Sequence, residues 1–158
     1  MRYILSSVLL IAFAFSTLAQ SDLDPSERAF LIGENEEYFE LLVTEHEEQL
    51  LTVCSNSMDK AYEAWLGLLK DMEDFADEKD FDIKGIKLWI NVFWNSDGSI
   101  RNIAYYPKPN SRYMDFMLLS SFLSEFASNY QFTTNNKSPF SHYGSASFPT
   151  FYSFAQPK

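Results

Sequence analysis

The segment SHYGSAS near the C-terminus places a histidine among several hydroxyl groups. A serine activated by a neighbouring imidazole is the nucleophile of many hydrolases, so His142 with Ser141, Ser145 or Ser147 is the first catalytic candidate. The segment lacks the G-x-S-x-G nucleophile elbow. If it is a strand, residues three positions apart face opposite sides of the sheet, which separates His142 from Ser145. A hydrolase therefore remains only an alternative interpretation.

A second possible pair combines Cys54 with His46. The two residues lie eight positions apart in one predicted helix, roughly 12 Å along its axis, which is too far for direct proton transfer. Closed zinc sites use four ligands, and the chain contains two histidines and one cysteine. A single cysteine also excludes an intramolecular disulfide, so we expect Cys54 to be a buried small hydrophobe. We predict no catalytic residue, no metal and no cofactor.

Acidic residues are concentrated in the first half of the chain. Residues 22–80 contain 18 Asp and Glu against four Lys and Arg, a balance of −14, whereas residues 81–158 contain four against seven, a balance of +3. Such a surface repels phosphate backbones, so nucleic acid is not an expected partner. The stretch DMEDFADEKDFD lacks the spacing of a calcium loop. We interpret these acids as the solvated faces of helices.

The N-terminus has the pattern of a secretory signal peptide. Arg2 precedes an apolar run from 4 to 18, and Thr17 and Ala19 are small residues at the −3 and −1 positions of a cleavage site. We predict that residues 1–19 are removed and that the mature chain is exported, to the periplasm or the extracellular space. Removing 19 residues from 158 leaves 139, which suits one domain without a further membrane span.

The strongest structural pattern is a β-hairpin from Gly85 to Tyr106 with its tip at Ser96–Ser99. The Asp-Gly pair at the tip supplies the positive φ that tight hairpin turns require. Alternation places Leu88, Ile90, Val92 and Trp94 on one strand face, which we expect to be core. Trp89, Asn91 and Phe93 then lie on the opposite face.

Helices are predicted on both sides of this hairpin. A short helix begins at Asp24 and ends near Gly33, and a second runs through 34–53. A third begins after Ser57, where apolar residues recur at spacings of three and four, and a fourth occupies 113–130 with Met114, Met117 and Leu118 as core. Ser141 to Phe151 is the last strand. The fold class is α+β: a small antiparallel sheet, consisting of the hairpin and a C-terminal strand, packed by helices, with extra acidic helices at the N-terminus.

The segment from Met58 to Phe154 resembles the C-terminal domain of TonB energy transducers. The resemblance rests on Gly85-Ile86-Lys87 at the entry to the first strand, Asp97-Gly98-Ser99 at the hairpin tip and Ser147-Phe148-Pro149 at the end. It implies a TonB-like domain over 58–158, preceded by an acidic helical segment over 20–57, with 20–158 one compact unit. The whole chain is also similar to small secreted proteins of Bacteroidetes. In transducers, the domain captures an extended peptide by strand addition.

The resulting hypothesis is an exported, non-catalytic binding module whose partner is an envelope protein or peptide. Strand addition predicts a sheet edge without guarding lysines or bulges. The alternative is a carbohydrate or apolar-ligand binder that uses surface aromatic rings, and it fails if helices cover those rings. The candidate binding residues are Trp89, Phe93, Tyr105, Tyr106, His142 and Tyr143.

Overall fold

The computed structural model describes residues 27–150. The predicted signal peptide, the predicted helix start at Asp24 and the segment after Thr150 lie outside the described residues. The strands are β1 (Ala29–Leu31), β2 (Glu48–Gln49), β3 (Lys87–Trp94), β4 (Ile100–Pro107) and β5 (Phe140–Ser147). The helices are α1 (Glu36–Glu45), α2 (Leu50–Val53), α3 (Met58–Glu78) and α4 (Phe116–Asn129).

The strands form one sheet in the order β1-β4-β3-β5-β2. β3 is central and pairs antiparallel with β4 and with β5, so the hairpin and the C-terminal strand form the predicted antiparallel unit. β1 and β2 extend this unit by short parallel pairings with β4 and β5. The α+β class is confirmed, and the sheet is mixed and larger than the sequence predicts.

The first face of the sheet carries the main core. Ile100 and Ile103 of β4 both lie on this face, although they are three positions apart. β4 contains one extra residue opposite the step from Phe93 to Trp94, and such a bulge shifts the alternation of faces by one position. α3 and α4 cover the face together and meet through Phe75, whose ring lies 5.8 Å from that of Phe122. The predicted core face of β3 is confirmed. The buried residues contributed by these elements include Trp65, Leu68, Met72, Leu88, Ile90, Val92, Trp94, Tyr105, Phe122 and Phe126.

The second face of the sheet is covered by α1 over part of its area. Phe93 and Ala104 form a small second core there with Phe30 and with Leu42 of α1. The Tyr38 hydroxyl donates to Asn102 Oδ1 at 2.8 Å and ties α1 to β4. Part of the acidic N-terminal segment therefore closes one half of this face.

The hairpin tip contains a glycine that no other residue can replace without strain. Gly98 has φ +87°, and a Cβ at this position would lie 1.9 Å from the carbonyl oxygen of Phe132. The Asp97 carboxylate accepts from the Ser99 hydroxyl at 2.6 Å and from the Ser99 backbone N–H at 2.9 Å, and these hydrogen bonds lower the pKa of Asp97. The predicted turn is confirmed.

The predicted helix from Asp24 to Gly33 is wrong in its described part. Ala29–Leu31 is a strand that pairs with Ile103–Tyr105, and both Ala29 and Phe30 are buried. Pairing with a strand distant in sequence overrides the local helix-start pattern, because the two faces of the segment are both buried: Ala29 packs in the main core and Phe30 in the second core.

The predicted helix over 34–53 is also wrong, because it breaks in the middle. α1 ends at Glu45, Glu48–Gln49 form β2, and only one turn of helix follows at Leu50–Val53. The segment TEHEEQ brings three glutamates together, and like charges close in sequence disfavour a continuous helix. Cys54 packs against the main core, but it is half-buried and not fully buried as predicted.

α4 begins later than predicted. Its N-cap is Asp115, whose carboxylate accepts from the N–H groups of Met117 and Leu118. Met117 is 83% exposed and Leu118 is also exposed, so both are wrong as core predictions. The buried stripe of α4 begins at Leu119 instead.

Candidate functional site

The six predicted binding residues separate into three locations. Phe93 and Tyr105 are fully buried, Phe93 under α1 and Tyr105 in the main core. The Tyr105 hydroxyl lies 2.7 Å from that of Ser120 on α4. His142 faces the main core, where its ring centroid lies 4.6 Å from that of Trp65. The exposed residues are Trp89, Tyr106 and Tyr143, at 41%, 53% and 56%.

We call the three exposed rings, Trp89, Tyr106 and Tyr143, the aromatic face. They lie on neighbouring strands, with Trp89 of β3 between the other two, on the half of the second face that α1 leaves open. The rings of Trp89 and Tyr143 are nearly parallel, at 19°, with centroids 6.0 Å apart. The ammonium group of Lys108 lies 4.1 Å from the centroid of a Trp89 ring and donates to the Ser145 hydroxyl. The face therefore combines apolar rings with one positive charge.

The outer edge of β5 is open over most of its length. β2 pairs with β5 only at Phe140 and Ser141. From Tyr143 to Ser147, β5 pairs with β3 on its inner side, and no strand of residues 27–150 lies on its outer side. Phe148 N–H donates to the carbonyl of Ile86. Since antiparallel residues alternate between bonding inward and outward, the backbone groups of Tyr143, Ser145 and Ser147 point away from β3.

The opposite edge of the sheet is closed. The backbone N–H of Ala29 in β1 donates at 2.9 Å to the Ser124 hydroxyl of α4, and both residues are buried. A side chain that accepts from an edge N–H blocks the addition of another strand there. Of the two sheet edges, the described residues leave that of β5 available.

A groove of about 390 Å³ lies beside the aromatic face, and we call it the α1–β5 groove. It runs between the last turn of α1, the loop that leads to β2, and the ladder of β3 and β5. Asn91 and His46 line it, at 9% and 1% exposure. Its other polar lining residues include Glu47, Gln49, Ser141 and Tyr143.

Two buried acceptors of residues that line this groove have no hydrogen-bond partner among the described residues: Asn91 Oδ1 and His46 Nε2, both with almost no solvent-accessible surface. His46 Nδ1 lies 2.7 Å from the carbonyl of Leu42. A carbonyl only accepts, so Nδ1 carries the proton and Nε2 of the neutral ring keeps a bare lone pair. Burial lowers the pKa of His46, which favours this neutral form. Each unpaired buried acceptor costs on the order of 1–3 kcal/mol.

The hydrolase candidate residues are not brought together. His142 pairs with Val92 and faces the core, whereas Ser145 pairs with Trp89 and faces the other side, as the strand alternation predicts. The Ser141 hydroxyl donates to the carbonyl of His46 at 3.0 Å. Burial lowers the pKa of His142. None of these contacts joins a serine to an imidazole nitrogen, and the geometry offers no nucleophile and base pair here.

Three residues of the α1–β5 groove and the aromatic face are missing from the residues predicted by sequence: His46, Asn91 and Lys108. Asn91 interrupts the apolar run KLWINVFW, and a polar residue in the middle of a buried strand is the available signal, since buried amides are normally hydrogen-bonded. His46 gives no such signal, because its burial depends on the end of α1. The position of Lys108 over Trp89 depends on the hairpin register.

Within residues 27–150, no group of three or more His, Cys, Asp and Glu residues is arranged to hold a metal ion. Over the same range, none of the helices has the length and apolar character required to span a bilayer. No family model, no curated protein and no solved structure matches this chain. The class that the fold defines is a small α+β domain.

Proposed function

We propose that this chain is an exported, non-catalytic binding module that captures an extended peptide at the outer edge of β5. The observation that carries the proposal is the row of outward-pointing backbone groups at Tyr143, Ser145 and Ser147, beside the exposed aromatic face. An added strand pairs with such groups, and the pockets for alternate side chains then provide specificity.

The side chains along this edge suit a close approach of a second backbone. Ser145, Ala146 and Ser147 are small and uncharged, and the register between β3 and β5 is continuous from Lys87–Ser147 to Trp94–Phe140. Lysine guards and bulges are the features by which sheets usually prevent strand addition. Of the two lysines nearby, Lys108 reaches over Trp89 to the face of the sheet, and Lys87 belongs to β3, where it is the register partner of Ser147.

One edge carbonyl already has a partner. Trp65 Nε1 donates to the carbonyl of Ser145 at 3.3 Å. A carbonyl oxygen has two lone pairs, so it can accept a second hydrogen bond from a ligand strand. This hydrogen bond involves a carbonyl, so it leaves the N–H groups of the edge available.

The resemblance to the TonB C-terminal domain supports the proposal. The order α3, β3, β4, α4, β5, with β5 beside β3, is the order of helix, hairpin, helix and strand that the sequence predicts over the segment with that resemblance. Export rests on the sequence of residues 1–19. Mass spectrometry of the protein from its own envelope fraction tests it, because processing predicts a chain that begins at Gln20.

The test of strand capture uses a proline. The N–H of Ser145 points outward, so Ser145→Pro removes an edge donor and leaves the pairing with β3 intact. Ser145→Ala is the matched control, because it loses the same hydroxyl and keeps the N–H. A library of random 12-residue peptides is selected against the mature protein, and each selected peptide is titrated against both variants by calorimetry.

We expect peptides that bind the wild-type protein and Ser145→Ala with similar affinity and bind Ser145→Pro at least ten-fold more weakly. Bound peptide should also slow the hydrogen exchange of the Tyr143, Ser145 and Ser147 amides. Peptides that bind both variants equally, or a library that yields none, would reject strand capture.

A further inference from the structure

We propose that the strand captured at the edge of β5 carries an acidic side chain that pairs with Lys108, so that the partner is an acidic peptide. This inference rests on the proposed strand capture and adds the chemistry of the captured segment. The observation behind it is the position of the Lys108 ammonium group, which lies at the edge strand and donates to the Ser145 hydroxyl.

The side chain of Lys108 crosses the second face of the sheet from the end of β4 to β5. Its backbone N–H donates at 2.8 Å to the carbonyl of Lys87, the first residue of β3. Its ammonium group lies 4.1 Å from the centroid of a Trp89 ring and reaches Ser145, the register partner of Trp89. The ring and the hydroxyl hold the charge in place before a ligand binds. An ammonium group has three donors, so donors remain for the ligand.

A strand added at this edge places one of its side chains next to Ser145. Side chains alternate between the two faces of a strand, and residues directly opposite on one face have Cβ atoms about 4.5–5.5 Å apart in an antiparallel pair. The Ser145 side chain points to the second face, where the Lys108 ammonium group contacts it. The ligand side chain opposite Ser145 is therefore within reach of this charge, and an Asp or Glu accepts a charge-assisted hydrogen bond from it.

The charges on this part of the sheet favour an acid in the ligand. Lys87, the register partner of Ser147, lies on the same face as Lys108. Neither lysine belongs to an ion pair among residues 27–150. The strands β3, β4 and β5 contain no Asp or Glu. A basic ligand residue would be repelled here, and an acidic one supplies the missing counter-charge.

Two acidic side chains of the protein lie beyond the ends of the open edge. Glu48 of β2 is the register partner of Phe140 at the start of β5. Glu73 of α3 accepts from the backbone N–H of Thr150, after the end of β5. These carboxylates oppose further acids at either end of the ligand, so we expect one acid beside Ser145 and not a run of acids.

The next ligand position on the same face suits an apolar side chain. It lies opposite Tyr143, two positions from the acid, and the Tyr143 ring is exposed and nearly parallel to that of Trp89. Aromatic and β-branched side chains pair favourably with an aromatic ring across strands. The captured segment should therefore contain an acid and an aromatic or β-branched residue two positions apart.

The experiment uses the peptides selected against the mature protein that bind Ser145→Pro weakly and Ser145→Ala normally. Each is titrated by calorimetry against Lys108→Gln, which removes the charge and keeps a hydrogen-bond donor, and against Lys108→Glu, which reverses the charge. Lys79→Gln is the matched control. It changes the net charge of the protein equally, and Lys79 pairs with Glu125 between α3 and α4.

We expect these peptides to be enriched in Asp and Glu. They should bind Lys108→Gln about three- to five-fold more weakly, as expected for an exposed ion pair, and Lys108→Glu about ten-fold more weakly or worse. Binding to Lys79→Gln should be unchanged. Replacing the acid of the peptide by Lys should restore binding to Lys108→Glu, a rescue that a merely structural role of Lys108 would not produce.

The possible failures are distinguishable. Peptides that depend on the Ser145 N–H but lack an acid, or that bind Lys108→Glu as well as the wild-type protein, would support strand capture and overturn the acidic partner. Weaker binding without rescue by the exchanged charges would also overturn it. A library without any peptide sensitive to Ser145→Pro would reject strand capture and the acidic partner together.

Discussion

At the scale of single residues, burial determines the charge state of both histidines. Desolvation lowers the pKa of His46 and of His142 from the ordinary value of 6.5, because a low-dielectric surrounding disfavours the charged ring. His142 lies against Trp65 on the core side of β5. The folded chain therefore holds both rings neutral at a pH where the unfolded chain begins to bind protons.

This charge state predicts how stability depends on pH. Between the unfolded pKa and the lower folded pKa, the unfolded chain binds more protons, so the free energy of unfolding falls as pH decreases below about 6.5. The stability that the two neutral histidines contribute is fully present above that pH. Each histidine changes the slope of the free energy of unfolding against pH by less than about 1.4 kcal/mol per pH unit.

The variant His142→Phe isolates one of the two contributions. A phenyl ring can pack against Trp65 and cannot be protonated, so we expect the free energy of unfolding to fall less steeply from pH 7 to pH 5 than in the wild-type protein. Urea titrations across this range measure it. The carboxylates titrate in both proteins, so they cancel in the comparison. Equal slopes would contradict a depressed pKa at His142.

At the scale of elements, the contact between α3 and β5 depends on a residue without a side chain. A Cβ at Gly144 would lie 2.8 Å from the indole ring of Trp65, so the helix can lie this close only above a glycine. The same indole donates to Ser145. Gly144 therefore determines both the packing of α3 and the position of the open edge.

We expect Gly144→Val to lower the free energy of unfolding by about 1–3 kcal/mol, the usual cost of overpacking. Ser147→Val on the same strand is the control, because Ser147 is exposed on the other face; its effect should stay within about 0.5 kcal/mol. Urea unfolding followed by tryptophan fluorescence compares the two. If Gly144→Val and Ser147→Val had equal free energies of unfolding, Trp65 would have room to move aside and the predicted overpacking would be contradicted.

The elements also show which parts of the fold are predictable from sequence. α3 and the hairpin are predictable, because the apolar periodicity extends over the 21 residues of α3 and over the eight residues of β3. β1 and β2 contain three and two residues, too few for a period of two to be recognised. Their partners lie far away in sequence, as in the pairing of Ala29 with Ile103.

The candidate site is predictable only in part for the same reason. Alternation along the strands identifies Trp89, Tyr106 and Tyr143 as residues of the second face. It cannot reveal that α1 covers Phe93 and leaves Trp89 open, because that depends on where the N-terminal segment crosses the sheet. The burial of Asn91 and His46 depends on the same crossing.

At the scale of the whole molecule, residues 27–57 are part of the same sheet and the same cores as the rest of the described chain. They contribute β1 and β2 at opposite edges. Leu42 closes the second core over Phe93, and Leu50 enters the main core. The domain predicted over 58–158 would lack all of these contacts.

A chain that begins at Met58 should therefore lose cooperative unfolding. Burying one large apolar side chain contributes about 1.5–3 kcal/mol, and a typical domain is stable by only about 5–15 kcal/mol. Loss of Phe30 and Leu42 would uncover both Phe93 and Ala104. We expect the shortened chain to bind a hydrophobic dye and to unfold without a sharp urea midpoint, while the chain from Gln20 unfolds in one transition. Leu42→Ala in that longer chain provides the intermediate case, with a loss of about 2–5 kcal/mol. A shortened chain with the same midpoint as the longer one would show that 58–158 folds independently and that the acidic segment only covers it.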